Sequence, residues 1–453
     1  MASADPLTQR ARPSFREHPL AFGLSLFGDV RPGEPVSALL MTLNVFMLLT
    51  AYYLLKVARE PLILLGEGAE VKSYAAVGQA VLLVLVTNVY GWLAARVRRF
   101  VLIACVTLFF AANLVGFWAL GTSGVPLGVP FFLWVGIFNL VTVAQFWSFA
   151  ADVYTEEQGK RLFPIIGIGS SVGAVGGAAI AGRLMRTGSP FTLMLVAAAI
   201  TVSTLGITYA IHRREGVAST ASRDRRHDAP VERGNAFALV ARDRYLLLLA
   251  ALIFVLNIST KTGDYVLDRM LISHAAERAA TLGVSKSVFI GEFKARYFEW
   301  INIFEIVLQS LVVSRVIKYA GIRVALVIVP LVSLAGYSTT LFVPLIGVLF
   351  ATRVAESTLD YSLSNTVRQA LWLVTSRTAK YKAKQVVDSF VWRAGDSASA
   401  VVVWLGAHFA LGIRFFLFVN VIVGLLWVAV ALVTGAEYAR IRPKAADPTG
   451  TAS

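Results

Sequence analysis

The sequence predicts an all-α membrane protein of twelve transmembrane helices, arranged as two six-helix halves. Three observations predict it. Apolar residues make up 57% of the 453 residues and charged residues only 15%, whereas soluble chains carry about 25% charged residues. Runs of about 20 apolar residues recur along the whole length. One long polar stretch, Arg213 to Arg244, divides them near the middle. Long apolar blocks exclude a β-barrel, whose strands alternate in short segments. A single cysteine, Cys105, excludes an internal disulfide framework.

Residues 1–36 carry Arg10, Arg12, Arg16 and Arg31 beside Asp5, Glu17, Asp29 and Glu34. With acids present and no short apolar core before a cleavage site, they read as a tail and not as a targeting segment. The first half, 37–212, holds spans near 37–64, 73–95, 100–120, 128–153, 162–186 and 190–212. A basic linker occupies 213–244. The second half, 245–434, holds spans near 245–272, 296–318, 322–342, 345–372, 384–411 and 412–434, and a second tail covers 435–453.

Charge sets the orientation. With the N-terminus inside, the inner segments hold 28 basic residues and the outer loops 7: Lys72, Arg186, Arg278, Lys286, Lys294, Arg296 and Arg414. Translocating Lys and Arg is disfavoured, so both termini are expected in the cytoplasm; the membrane expected is a bacterial inner membrane. The net charge of +15 follows from the same bias. A nucleic-acid partner is not expected, because no soluble domain is left to carry one.

The two halves look alike. Span one carries Tyr53, Lys56 and Arg59, and span seven carries Asn257, Lys261 and Asp264 at similar depth. Span four ends in Asp152 and Tyr154, span ten holds Asp360 and Tyr361, and a basic loop follows each. Two six-span halves related by a parallel repeat resemble the major facilitator architecture, in which the solute sits between the halves near the midplane.

Charges inside spans are costly unless they face water or the bundle interior. Asn257, Lys261, Asp264 and Asp268 share one helix face, as do Arg353, Glu356 and Asp360, and Glu299, Asn302, Glu305 and Gln309. Asn139, Thr142, Gln145, Phe149 and Asp152 make a fourth stripe. Such stripes describe a wet central cavity. The candidate solute-binding set is Lys56, Arg59, Lys261, Asp264, Arg353, Glu356, Arg393 and Asp396; Asp152, Asp360 and Asp388 read as gating or structural. Against this stands plain neutralisation one turn apart: Lys56 with Glu60, Lys261 with Asp264, Arg353 with Glu356, and Arg393 with Asp396. The interior inventory of six cations and ten acids also leaves the cavity without an evident positive sign.

Other chemistry is absent from the pattern. Gly169, Gly173 and Gly177 step by four, as close helix packing requires, and no Gly-Lys-Ser or Gly-Lys-Thr follows to make a phosphate loop. The five histidines, His18, His212, His227, His274 and His408, have no ligand spacing, so neither a metal site nor a cofactor is expected. No nucleophile–base arrangement suggests an enzyme. Trp300 and Trp392, beside charges, are candidates for stacking on a base or ring.

Three stretches carry a resemblance: Tyr52–Pro61 in span one; Phe146–Asp152 with Gly159–Phe163 and Gly167–Gly169; and Asp360–Ser364 with Lys382–Asp388 and Arg393–Gly395. They resemble the bacterial and plastid-type ATP/ADP translocases, nucleotide exchangers of the facilitator superfamily. Asp152 matches that family's acid at the end of span four. Thr260 stands where the family has an acid, and Asp396 where it has a lysine. The resemblance implies a secondary transporter exchanging an anionic, phosphate-bearing solute, a nucleotide first of all, by alternating access. Lys56, Arg59, Lys261, Arg353 and Arg393 would contact phosphates. The ten interior acids keep a proton-coupled symporter of another organic solute open, and a non-transporting membrane scaffold or sensor is the third reading.

Overall fold

The computed structural model describes residue 31 and residues 34–94, 96–215, 236–376, 379 and 383–441. Most of both predicted tails, most of the basic linker, and Arg377, Lys380 and Lys382 lie outside the described residues. The described residues form helices and their connections. The first half comprises α1 (Pro35–Gly66), α2 (Gly68–Ala94), α3 (Arg99–Thr122), α4 (Gly128–Val153), α5 (Glu156–Thr187) and α6 (Pro190–Glu215). A short α7 (Ala236–Arg242) leads into the second half. That half comprises α8 (Arg244–Thr281), α9 (Lys286–Val307), α10 (Val313–Tyr319), α11 (Gly321–Phe342), α12 (Ile346–Leu359), α13 (Asn365–Leu371), α14 (Trp392–His408) and α15 (Ile413–Ile441).

Among the described residues, ten helical stretches are long and apolar enough to cross a membrane, counting α9 and α10 as one. Predicted spans ten and eleven are not among them. Span ten is broken by a π-helical turn at Asp360–Ser364, and span eleven opens with one at Val386–Val391. Arg353, Glu356, Asp360 and Arg368 lower the hydropathy of the first. Several helices also run further than predicted. The helix of span seven continues to Thr281, and that of span eight starts at Lys286 instead of 296. Lys294, read as a loop residue, is therefore inside a helix, and so is Lys72.

α1 is the axis of the first half and packs along α5. The glycine stripe explains the closeness. A Cβ at Gly169, Gly173 or Gly177 would collide with backbone oxygens of Thr42, Phe46 or Thr50 in turn. The two helices therefore meet backbone to backbone. α5 begins with a capping box between Thr155 and Gln158. Beside it, Arg161 donates to both oxygens of Glu34 at 2.9 and 3.1 Å, and Gln158 donates to the same carboxylate at 3.2 Å. These contacts tie the start of α1 to the start of α5.

The apolar core divides unevenly. One cluster runs through the first half and on into the second through Tyr265, Ile290, Ile301, Tyr337 and Leu349. The other is confined to the second half, around Leu249, Val329, Val367 and Trp427. Here the distal side is the end where α1 finishes and α2 begins, and the terminal side is the opposite end. The halves share a core distally and part towards the terminal side.

The glycine seam and the Glu34 cluster can each be tested. Gly173→Leu is expected to lower the thermal unfolding midpoint in detergent, at a cost of about 1–3 kcal/mol, while Gly176→Ala, whose Cβ would meet only Phe46 at ordinary contact distance, does not lower it. Glu34 supplies a pH signature. Burial pushes its carboxyl up, but Arg161, the Arg31 backbone amide and Gln158 outweigh burial and hold it below the ordinary value of 4.5. Its stabilising contribution is thus complete above that value and disappears as pH falls through the lowered one. Glu34→Gln should flatten the acid-side decline of the unfolding midpoint; an unchanged decline contradicts the assignment.

Candidate functional site

A cavity of about 490 Å³ lies between the halves. Among the described residues it is lined by seven cations (Lys56, Arg59, Lys72, Lys261, Lys294, Arg353 and Arg393) and five carboxylates (Glu60, Asp264, Asp268, Asp360 and Asp396). Seven of the eight predicted solute-contacting residues line it. Glu356 does not: it is buried behind Arg353. The acid-rich inventory of the sequence is corrected by placement. Asp152, Glu299, Glu305 and Asp388 do not line the cavity, whereas Lys72 and Lys294 do.

The distal floor is a lattice of charges from four helices. Lys72 of α2 bonds Glu60 of α1 at 2.5 Å and Asp268 of α8 at 2.7 Å. Lys294 of α9 donates to Asp268 and lies 3.5 Å from Glu60. Arg59 Nε reaches the other Glu60 oxygen at 3.3 Å. Glu60, Asp268 and Lys294 are 1–3% exposed, so each is stable as an ion only because the others are there. The lattice joins the two halves. Tyr265 to Glu70 (2.7 Å), Arg186 to Glu292 (3.2 Å) and Tyr53 to Asn302 (2.9 Å) join them as well. Among the described residues, these polar links between halves lie from mid-bundle to the distal end.

A second cluster fixes Arg353, which is 1% exposed. It pairs with Asp264 at 2.6 Å and with Glu356, and it donates to Tyr337 at 3.2 Å. The Tyr337 hydroxyl donates to Glu356 at 2.7 Å, and Ser333 donates to the same carboxylate at 3.3 Å. Gly263 makes room for it: a Cβ there would overlap the Tyr337 hydroxyl. Arg353 is thus held on both sides, by Asp264 and by Glu356.

A third group forms where α14 meets α8. The Asn257 amide donates to Asp396 at 2.9 Å and to the Trp392 carbonyl at 2.5 Å. Gly395 permits this, since a Cβ there would press on Asn257. Arg393 lies 3.6 Å from Asp396 and is half exposed.

These partners decide between neutralisation and solute contact. Arg353 with Glu356 and Arg393 with Asp396 do pair one turn apart. The other two expected pairs do not form. Glu60 is taken by Lys72, Lys294 and Arg59, and Asp264 is taken by Arg353. Lys56 and Lys261 are consequently left at the cavity wall with no carboxylate in salt-bridge range among the described residues. Lys56 instead lies over Phe298 at 4.2 Å and Tyr53 at 4.8 Å, and Arg59 stacks over Phe132 at 4.7 Å. Cation–π contact lowers the cost of a buried ammonium without cancelling its charge.

The residues read as gating take separate places. Asp152 pairs with Arg99 at the terminal side of the first half. Asp360 lines the cavity and is bonded by Arg368 at 2.5 Å across the π-helical turn. Asp388 is exposed. Trp392 lines the cavity. Trp300 does not: it stacks on Phe304 at 5.2 Å in an apolar groove outside it. Of the span-four stripe only Asn139 lines this cavity, and of the span-eight stripe only Asn302. Lys72 and Lys294 were missed because both adjoin polar sequence; the signal that finds them is the buried Glu60 and Asp268, which need counter-ions.

No protein-family model matches the chain, and no curated protein matches it. Solved structures share its fold. A bacterial homologue of the human lysosomal transporter Spinster, inward-facing and unoccupied, superposes with a TM-score of 0.61 at 14% identity, covering 92% of this chain and 100% of that one. A bacterial homologue of the iron transporter ferroportin, inward-facing, gives 0.62 at 11% identity over 88% and 99%. The nucleoside transporter NupG gives 0.56 at 12% identity over 90% and 100%. At these identities the likeness is one of fold, and the fold is the major facilitator-like one expected from the two halves.

The distal lattice makes a sharp prediction. Lys294→Met leaves Asp268 and Glu60 short of a cation and should cost about 3–5 kcal/mol in thermal unfolding. Adding Asp268→Asn should restore part of that loss. Losses that simply add would show that the pair does not act as a unit.

Proposed function

We propose that this chain is a secondary transporter of an anionic, phosphate-bearing solute, with a nucleotide as the first candidate, working by alternating access between its halves. One observation carries the reading: in a cavity where each lining carboxylate has a partner, Lys56 and Lys261 have no carboxylate in salt-bridge range among the described residues. An anion entering there supplies the missing counter-charge. The volume falls within the 300–1,000 Å³ of ordinary small-molecule sites. Lys56, Arg59, Lys261 and Arg393 would meet the phosphates, and Asp264 and Glu356 would hold Arg353 in place. Tyr361 and Trp392 offer faces on which a base could stack. One protein of the same fold is a nucleoside transporter, and a nucleoside shares the base and sugar of a nucleotide but not its phosphates.

The excess of Lys and Arg on the terminal side favours a cytoplasmic location for both termini; a bacterial inner membrane is part of the same proposal and rests on the sequence resemblance. On that reading the described state opens to the cytoplasm and is shut on the far side by the Glu60–Lys72–Asp268–Lys294 lattice. The span count is twelve if predicted spans ten and eleven also cross.

Counterflow in proteoliposomes tests the proposal, with ATP, ADP, GTP or inorganic phosphate inside and a labelled nucleotide outside. Exchange is expected with at least one of these. A hydrogen bond to a charged group contributes about 1.5–3 kcal/mol, so Lys56→Ala and Lys261→Ala should each weaken half-saturation about tenfold or more. Uptake that collapses with the pH gradient and needs no solute on the far side selects the proton symporter instead. No flux with any solute, together with indifference to both alanines, selects the scaffold.

A further inference from the structure

The charge around the cavity between the halves can be counted. Its seven lining cations and five lining carboxylates bring with them two bonded partners that stand behind the wall, Glu356 on Arg353 and Arg368 on Asp360. Among the described residues that makes eight cations against six carboxylates, an excess of two.

The excess has a definite place. The distal lattice of Arg59, Lys72, Lys294, Glu60 and Asp268 carries one surplus cation, and the cluster of Arg353, Asp264 and Glu356 carries one surplus carboxylate. Those two cancel. Arg393 with Asp396 and Arg368 with Asp360 are neutral pairs. Lys56 and Lys261 remain. The rings of Tyr53 and Phe298 beside Lys56 ease its desolvation and take none of its charge. Glu299 and Glu305 of α9 do not line the cavity and pair with no member of this set among the described residues, so they stand outside the count.

An excess of two sets the charge of the solute. Alternating access closes the solute off from water on its way through, and each charge it carries must then meet a counter-charge in the wall. A phosphate monoester brings about two negative charges at neutral pH, which Lys56 and Lys261 answer between them. A diphosphate or triphosphate carries more. It can be neutralised only by drawing a cation away from Glu60, Asp264, Asp268 or Asp396, and each cation drawn away strands a carboxylate. Size does not make the choice, because a cavity of about 490 Å³ is in the range that holds drug-sized molecules.

We propose that the solute of this cavity is a phosphate monoester dianion, a nucleoside monophosphate or a sugar phosphate, taken in preference to diphosphates and triphosphates. The proposal rests on the anionic-solute reading above and narrows it.

The test is equilibrium binding to the full chain, purified in detergent, at about pH 8, where a phosphate monoester is doubly ionised. Magnesium is chelated so that every phosphate keeps its charge. The probes are radiolabelled AMP, ADP, ATP, glucose 6-phosphate and inorganic phosphate, with the methyl ester of AMP, a monoanion, as a competitor. The better of AMP and glucose 6-phosphate tells a nucleotide from a sugar source, and is expected to bind about tenfold or more tighter than ADP, ATP and the methyl ester. Tighter binding of ADP or ATP would overturn the proposal and leave the anionic-solute reading standing, whereas no binding of any phosphate would overturn that reading as well. Inorganic phosphate bound as tightly as either ester would overturn the ester assignment. Two substitutions move the count. Asp396→Asn adds one to the excess and should improve ADP relative to AMP by about tenfold, and Lys261→Gln removes one and should improve the methyl ester relative to AMP by a similar factor. A preference unmoved by both would overturn charge matching, and so would one that moves with Glu305→Gln. Should the variants not fold, the ligand series on the unmodified chain still decides.

Discussion

An ion carried from water into hydrocarbon loses more hydration energy than any one contact returns. Every charge in this bundle must therefore meet a counter-ion, an aromatic face or water, and the architecture is arranged around that demand. Glu60 and Asp268 come from different halves and neither can stay ionised alone. Lys72 and Lys294 satisfy both at once. The outcome is a clamp as well as a neutral site: separating the halves distally would break Lys72–Asp268 and Lys294–Glu60 and leave each half with one pair, Lys72–Glu60 or Lys294–Asp268. Where the clamp sits, the apolar core is continuous between the halves; away from it, the core divides.

The same demand explains why Lys56 and Lys261 stand out. Their nearest acids along the helix are claimed by stronger partners that reach across from other helices. Arg353, buried and chelated by Asp264 and Glu356, is the most heavily bonded cation in the cavity and the least available. A cation's depth in its span thus says little about its role; what matters is how much of its charge is already answered.

The architecture was largely legible in the sequence, because hydropathy and the step-by-four glycines are local signals. So was most of the cavity wall, since i, i+3 and i+4 spacing puts Lys261 and Asp264 on one face whatever the rest of the fold does. What the sequence hid was pairing across helices. Nothing within span seven indicates that Asp264 belongs to Arg353, 89 positions away. Nor does anything near Lys294 mark it as interior, because a lysine close to a span end ordinarily reaches back to water. The stripe on span four misled for a related reason. Periodicity shows that residues share a face, and Thr142 and Gln145 do; it does not show which neighbour that face meets.

The π-helical turns are confined, among the described residues, to the second half. Each one accommodates a residue more than an α-turn would, and so rotates the downstream part of its helix by about 100°. Arg368 can answer Asp360 from eight positions on because the turn lies between them. The two halves are therefore unequal as machines: a rigid rod pair seamed by glycine on one side, and on the other a set of helices with slack wound into them. Any rocking of the halves would be absorbed unevenly, with the stiff half serving as the anvil and the looser half doing the bending.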